Sequence, residues 1–158
     1  MVTAKFPLLK AAHLSGEAED IAKKHVSNGQ EKNAICVLDV PLNWENEFPQ
    51  VQKLKHELVQ NLNSEVLPRG FLHKIQTLYN MSVEQKKHKQ NESWQWIMAY
   101  DFARIKERKK NDTSLKNFLD TLQKHILTNN VKNTNYTYLE LLNVAARWAE
   151  LETKNEKN

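Results

Sequence analysis

Residues 34–40, Ala-Ile-Cys-Val-Leu-Asp-Val, closed by Pro41, decide how this chain is read. Ile35, Val37 and Val40 are β-branched and the run is almost continuously apolar, which suits a strand buried on both faces. A strand needs a neighbour to pair its backbone groups, and no second strand-like run is evident along the 158 residues. The sequence therefore predicts a segment that borrows its partner, or a chain that is the tail of something larger. Pro41-Leu42-Asn43 reads as a turn, with Asn43 placed to cap the next helix.

Outward from that run the pattern is helical. Leu8, Ala11, Ala12, Leu14, Ala18, Ile21 and Ala22 fit one helix over 8–26, bounded by Pro7 and Asn28-Gly29. Phe48, Val51, Leu54, Leu58 and Leu62 recur at steps of three and four and stop near Asn63-Ser64. Pro68 suits the first turn of a helix carrying Phe71, Leu72, Ile75, Leu78 and Tyr79. The stretch 84–91 has no apolar residue and reads as a solvated helix end or a loop. A helix over 93–110, capped by Ser93, turns Trp94, Ile97, Met98, Phe102 and Ile105 inward. After Asn111-Asp112-Thr113 a helix carries Leu115, Phe118, Leu119, Leu122, Ile126 and Leu127. A polar connector at 129–135 leads to a last helix with Tyr138, Leu139, Leu142, Ala145, Ala146 and Trp148. The expected fold is all-α: an antiparallel bundle of about six helices with one short N-terminal strand-like segment. Residues 1–43 form the helix and lone strand, 44–153 the bundle, and 154–158 a frayed tail.

The charge is unevenly spread. Residues 1–68 carry seven basic and nine acidic side chains, 69–132 carry thirteen and six, and 133–158 carry three and four. A middle third at net +7 is either a polyanion-facing surface or a solvated helix face. Lys86, Lys87 and Lys89 form one cluster, and Arg104, Arg108, Lys109 and Lys110 another. Arg104 and Arg108, four apart, are neighbours on a helix. With Arg69 and Lys74 these are the candidate nucleic-acid-binding residues. Cations at a helix C-terminus also favour its dipole, which accounts for part of the second cluster.

Catalytic chemistry finds no support. The three glycines, at 16, 29 and 70, make no phosphate loop. No adjacent Asp pair is present to hold two metals. The six histidines never fall at a three- or four-residue ligand spacing. The single cysteine, Cys36, reads as a buried structural thiol. No metal, cofactor or catalytic residue is expected. One cysteine, no signal peptide and no membrane-length apolar stretch suggest a cytoplasmic protein away from membranes. Trp94, Trp96 and Tyr100, at i, i+2 and i+6, cannot share one helix face. Trp94 fits the apolar stripe. Trp96 points elsewhere, to pack on a neighbouring helix or subunit or to offer its face to a base.

Several segments, in order, resemble the C-terminal part of the large, polymerase-palm-containing subunit of CRISPR effector complexes. Residues 6–23, FPLLKAAHLSGEAEDIAK, look like a palm helix ending in an Ala-Lys pair. Residues 33–44, NAICVLDVPLNW, look like the late palm strand with its Leu-x-Trp turn. Gly70-Phe71-Leu72, Ala99–Arg104 and Ala145–Leu151 are similar to the family's terminal helical domain. The chain lacks the family's Gly-Gly-Asp-Asp polymerase motif, which lies upstream of the matching part. The resemblance implies a separately translated small subunit, as in type I-D complexes. It would be a non-catalytic member of an RNA-guided interference complex. Its implied partners are the crRNA-bearing backbone and large subunits, crRNA, target or displaced single-stranded DNA, and neighbouring copies of itself. The alternative is a free-standing helical DNA-binding regulator, which requires a tight helix-turn-helix with a polar first turn on its recognition helix.

Overall fold

The computed structural model describes residues 8–27, 29–88, 93–129 and 131–155. Among them are six helices: α1 (Leu8–Lys24), α2 (Phe48–Asn63), α3 (Gly70–His88), α4 (Ser93–Arg108), α5 (Thr113–Thr128) and α6 (Tyr138–Asn155). Four short strands lie between α1 and α2: β1 (Val26–Ser27), β2 (Gln30–Glu31), β3 (Ala34–Val37) and β4 (Val40–Asn43). The described residues divide into two compact units. One runs up to Gln50 and includes Asn133–Asn135; the other holds the rest from Val51 on.

The lone strand is a hairpin. β3 pairs antiparallel with β4, Ala34 opposite Asn43 and Val37 opposite Val40. Leu38 and Asp39 form the two-residue turn with φ of 51° and 67°, the positive values at both central positions that a type I′ hairpin needs. The run 34–40 is thus a strand, a turn and the first residue of its own partner. Pro41-Leu42-Asn43, expected as a turn, completes that partner. Proline is tolerated because both strands of a two-stranded ladder are edges. The turn was not legible because Leu-Asp lacks the Asn-Gly signature, and a left-handed leucine carries a steric cost of roughly 1–2 kcal/mol. β1 and β2 make a second antiparallel pair, Val26 opposite Glu31, with Gly29 at φ 77° in the turn.

α1 packs on β3 and β4. Its apolar stripe is only partly covered: Ala18 and Ala22 are half-buried, while Leu14 and Ile21 are exposed.

Glu47 holds the first unit together. Its side chain is fully buried, at 0% exposure. Oε1 accepts from Ser27 Oγ at 3.2 Å and from the Asn135 amide at 3.0 Å. Oε2 accepts from the Asn43 amide at 2.7 Å and lies 2.9 Å from His25 Nε2. Burial alone raises a carboxyl pKa. Here the hydrogen bonds from the Asn43 and Asn135 amides and from His25 outweigh it and hold Glu47 below the usual carboxylate range. Asn43, itself buried, caps the turn ahead of α2, its Oδ1 accepting from the amides of Glu45 and Asn46 at 2.9 and 3.1 Å.

In the second unit α6 is the central helix. Leu139, Leu141, Leu142, Val144, Ala145, Ala146 and Ala149 are all buried, covering most of its circumference. α3 runs antiparallel to it, with Lys86 paired to Glu140 near one end and Gln76 donating to Glu150 nearer the other. α4 packs on α3 and α5, and α5 on α6. Phe71, Ile75, Met98, Phe102, Leu115 and Leu119 fill the space between, with the Phe71 and Phe102 rings 5.6 Å apart.

Three residues expected inside are not. Trp94 is half-buried, and Ile97 and Leu127 are 38% and 52% exposed. The buried stripe of α4 is Met98, Phe102 and Ile105. One residue along a helix turns about 100°, which carries Ile97 to the flank, and Leu127 leaves the stripe beside Ile126 in the same way.

The helix ends obey local chemistry. Asp112 caps α5, accepting from the Leu115 amide at 2.9 Å. Thr137 and Glu140 form a reciprocal capping box on α6. α6 continues through Asn155, so Lys154 and Asn155 are helical where fraying was expected. Residues 156–158 lie outside the described residues.

Candidate nucleic-acid interface

The second unit gathers four of the candidate cations at one place. Arg69 sits in the α2–α3 connection, and Arg108, Lys109 and Lys110 form the end of α4 and the turn to α5. Arg69 and Lys109 line one cleft of about 510 Å³, together with Leu62, Glu65, Leu67 and Pro68. Arg108, Lys109 and Lys110 also rim an adjoining open depression that ends at Asp112 and Thr113. All four side chains are exposed.

These cations are not equivalent. The Lys109 ammonium donates to the carbonyls of Glu65 and of Val66, the latter at 3.1 Å. Lys109 thus ties the end of α4 to the α2–α3 connection. Arg108 and Lys106 stand in the last turn of α4, where positive charge suits the helix dipole. Lys106 is committed to Asp120 of α5.

The other cluster lies away from that end. Lys86 and Lys87 are in the last turn of α3, whose 19 residues span about 28 Å. Lys86 is 3.8 Å from Glu140 and Lys87 is 3.1 Å from Glu84. Exposed pairs of this kind contribute at most about 1 kcal/mol, so either ammonium can exchange its carboxylate for a phosphate. Lys89 lies outside the described residues. Lys74 sits between the two ends of α3, half-buried, and pairs with Asp101 of α4 at 2.7 Å.

One arrangement was missed in the sequence. Trp96, Tyr100 and Arg104 are spaced by four and share the solvent face of α4. Trp96 is 79% and Tyr100 61% exposed. The Arg104 guanidinium lies 5.6 Å from the centre of the Tyr100 ring. The signal was present in the four-residue spacing, but it is visible only when Trp96 is set beside Tyr100 and Arg104 instead of beside Trp94.

Among the described residues no three His, Cys, Asp or Glu side chains converge to hold a metal ion. Cys36 is half-buried in β3, and burial, with Asp39 second, pushes its thiol up, away from the reactive thiolate. No described helix is long and apolar enough to cross a membrane. The chain matches no protein-family model, no curated protein and no solved structure.

Proposed function

We propose that this chain is a non-catalytic small subunit of an RNA-guided CRISPR interference complex. In this reading it is a cytoplasmic antiparallel helical bundle lying beside the crRNA-bearing backbone. It holds target or displaced single-stranded DNA by its phosphates. The family assignment rests on the ordered sequence resemblance. The observation that supports the DNA contact is the gathering of Arg69, Arg108, Lys109 and Lys110 at one end of the helical unit. Such a complex leaves sequence choice to base pairing and needs from its protein only backbone contacts. Exposed cations with no bidentate base-reading arrangement suit that role.

The test is co-expression with CRISPR backbone and large subunits, then DNA binding by the purified assembly. The informative variant is Arg108→Ala with Lys110→Ala, because Lys109 also braces the α2–α3 connection. The variant is expected to assemble normally and to bind DNA more weakly, with a shallower salt dependence. Failure of the wild-type chain to co-purify with those subunits overturns the assignment. A stable dimer that binds one duplex sequence selectively marks the free-standing regulator instead.

A further inference from the structure

We propose that the solvent face of α4 is a stacking platform for the bases of a single-stranded nucleic acid, with Trp96 and Tyr100 as the two stacking surfaces. The proposal rests on the reading above only in taking a nucleic acid as the ligand; it adds how the strand is gripped and why it must be single.

The aromatic exposure carries it. Large aromatic rings are normally buried for most of their area, yet Trp96 is 79% exposed and is the most exposed large hydrophobic side chain among the described residues. Tyr100, one turn on, is 61% exposed. The two are helical neighbours, with about 6 Å of rise between them. Bases in a duplex strand are spaced at about 3.4 Å and present only their edges. Two rings a helical turn apart therefore suit an unstacked strand, whose bases offer their flat faces.

Charge chooses the partner class. The row continues from Tyr100 to Arg104, 5.6 Å from its ring centre, and then winds on to the exposed Arg108 at the flank of that face. From Trp96 to Arg108 is about 18 Å along the helix, aromatic at one end and cationic at the other. Of the carboxylates on α4, Asp101 is paired with Lys74; Glu107 is exposed on this same face, where Arg104 and Arg108 outnumber it. A ligand that offers π-faces and negative charge in alternation fits this order. A second copy of the chain brings the same excess of positive charge to the contact.

The experiment uses the full chain, a fluorescent oligothymidine of about 15 nucleotides and a duplex of equal length, with anisotropy read at low salt. Trp96→Ala and Tyr100→Ala are each expected to weaken strand binding by about 5- to 150-fold, the range for loss of one stacked base. Trp96→Phe should retain most of the affinity, duplex binding should not change, and the thermal midpoint should stay put because both rings are exposed. If both alanine variants bind the strand like wild type while Arg108→Ala with Lys110→Ala weakens it, the strand is held by phosphates alone. The platform is then wrong and the DNA contact proposed above stands. Equal losses on strand and duplex overturn the platform. So does an oligomer of the wild-type chain that Trp96→Ala disperses, which makes the face a contact between copies. A wild-type chain that binds no oligothymidine overturns it as well, and co-purification then judges the complex assignment separately.

Discussion

Glu47 shows how much one buried carboxylate can organise. Its two oxygens serve Ser27, Asn43, Asn135 and His25, which come from β1, β4, the loop before α6 and the residue that follows α1. Each donor left without an acceptor in a buried place costs about 1–3 kcal/mol. Glu47→Ala, which takes the acceptor away from the Ser27 hydroxyl and the Asn43 and Asn135 amides, is expected to lower unfolding free energy by at least about 3 kcal/mol, read from urea denaturation. Glu47→Gln, which sets an NH₂ against donors, should lower it by less. The acid dependence has a definite sign. The folded pKa of Glu47 lies below its ordinary value of 4.5, so the unfolded chain takes up the proton first. The stabilisation is complete above about pH 4.5 and is lost as pH falls through the lower folded value. Urea midpoints of wild type should therefore drop across that acid window, and those of Glu47→Gln should drop less. Parallel declines in the two proteins would remove Glu47 as the acid-sensitive group. Nothing in the local sequence around Glu47 sets it apart from Glu45, because its partners are up to 88 residues away.

At the scale of elements, what could be read depended on whether the cause was local. α2, α3 and α5 are legible because their buried residues recur at three and four, as with Leu115, Leu119, Leu122 and Ile126. The stop at Asp112 was legible too, since a side-chain cap acts within four residues. Asp112→Ala should cost about 1 kcal/mol, seen as a lower thermal midpoint with helix content otherwise kept. An unchanged midpoint would mean the turn is held by its other contacts. The β3–β4 hairpin was not legible, because its turn places Leu38 and Asp39 in a conformation their side chains disfavour. Asp39→Gly should relieve part of that cost and stabilise the chain by roughly 0.5–1 kcal/mol, provided the added freedom of the unfolded glycine is the smaller effect. A lower midpoint in the glycine variant would show that it is the larger.

At the scale of the whole molecule, charge is the feature with a consequence. Residues 69–132 carry a net +7 while the flanking segments are slightly acidic. Arg69, Arg108 and Lys110 are exposed at one end of the second unit. A single strand that engages those three phosphate partners should show a log–log salt slope of about −2, equal for oligonucleotides of different sequence. A slope near zero, or a strong sequence preference, would contradict a phosphate-held strand.

The sequence by itself determined the six helices, most of their buried stripes, the polar breaks and the concentration of basic residues. These depend on neighbours three or four positions away and on composition. Only the tertiary structure decided that the lone strand supplies its own partner and that Glu47 is buried among four donors. It likewise decided that Lys109 braces a connection while Arg108 and Lys110 stand clear, and that Trp96 stays uncovered. Each of those outcomes turns on which distant surface arrives to accept a hydrogen bond or to cover a ring. Spacing along a helix gives the direction of a side chain, but not what meets it.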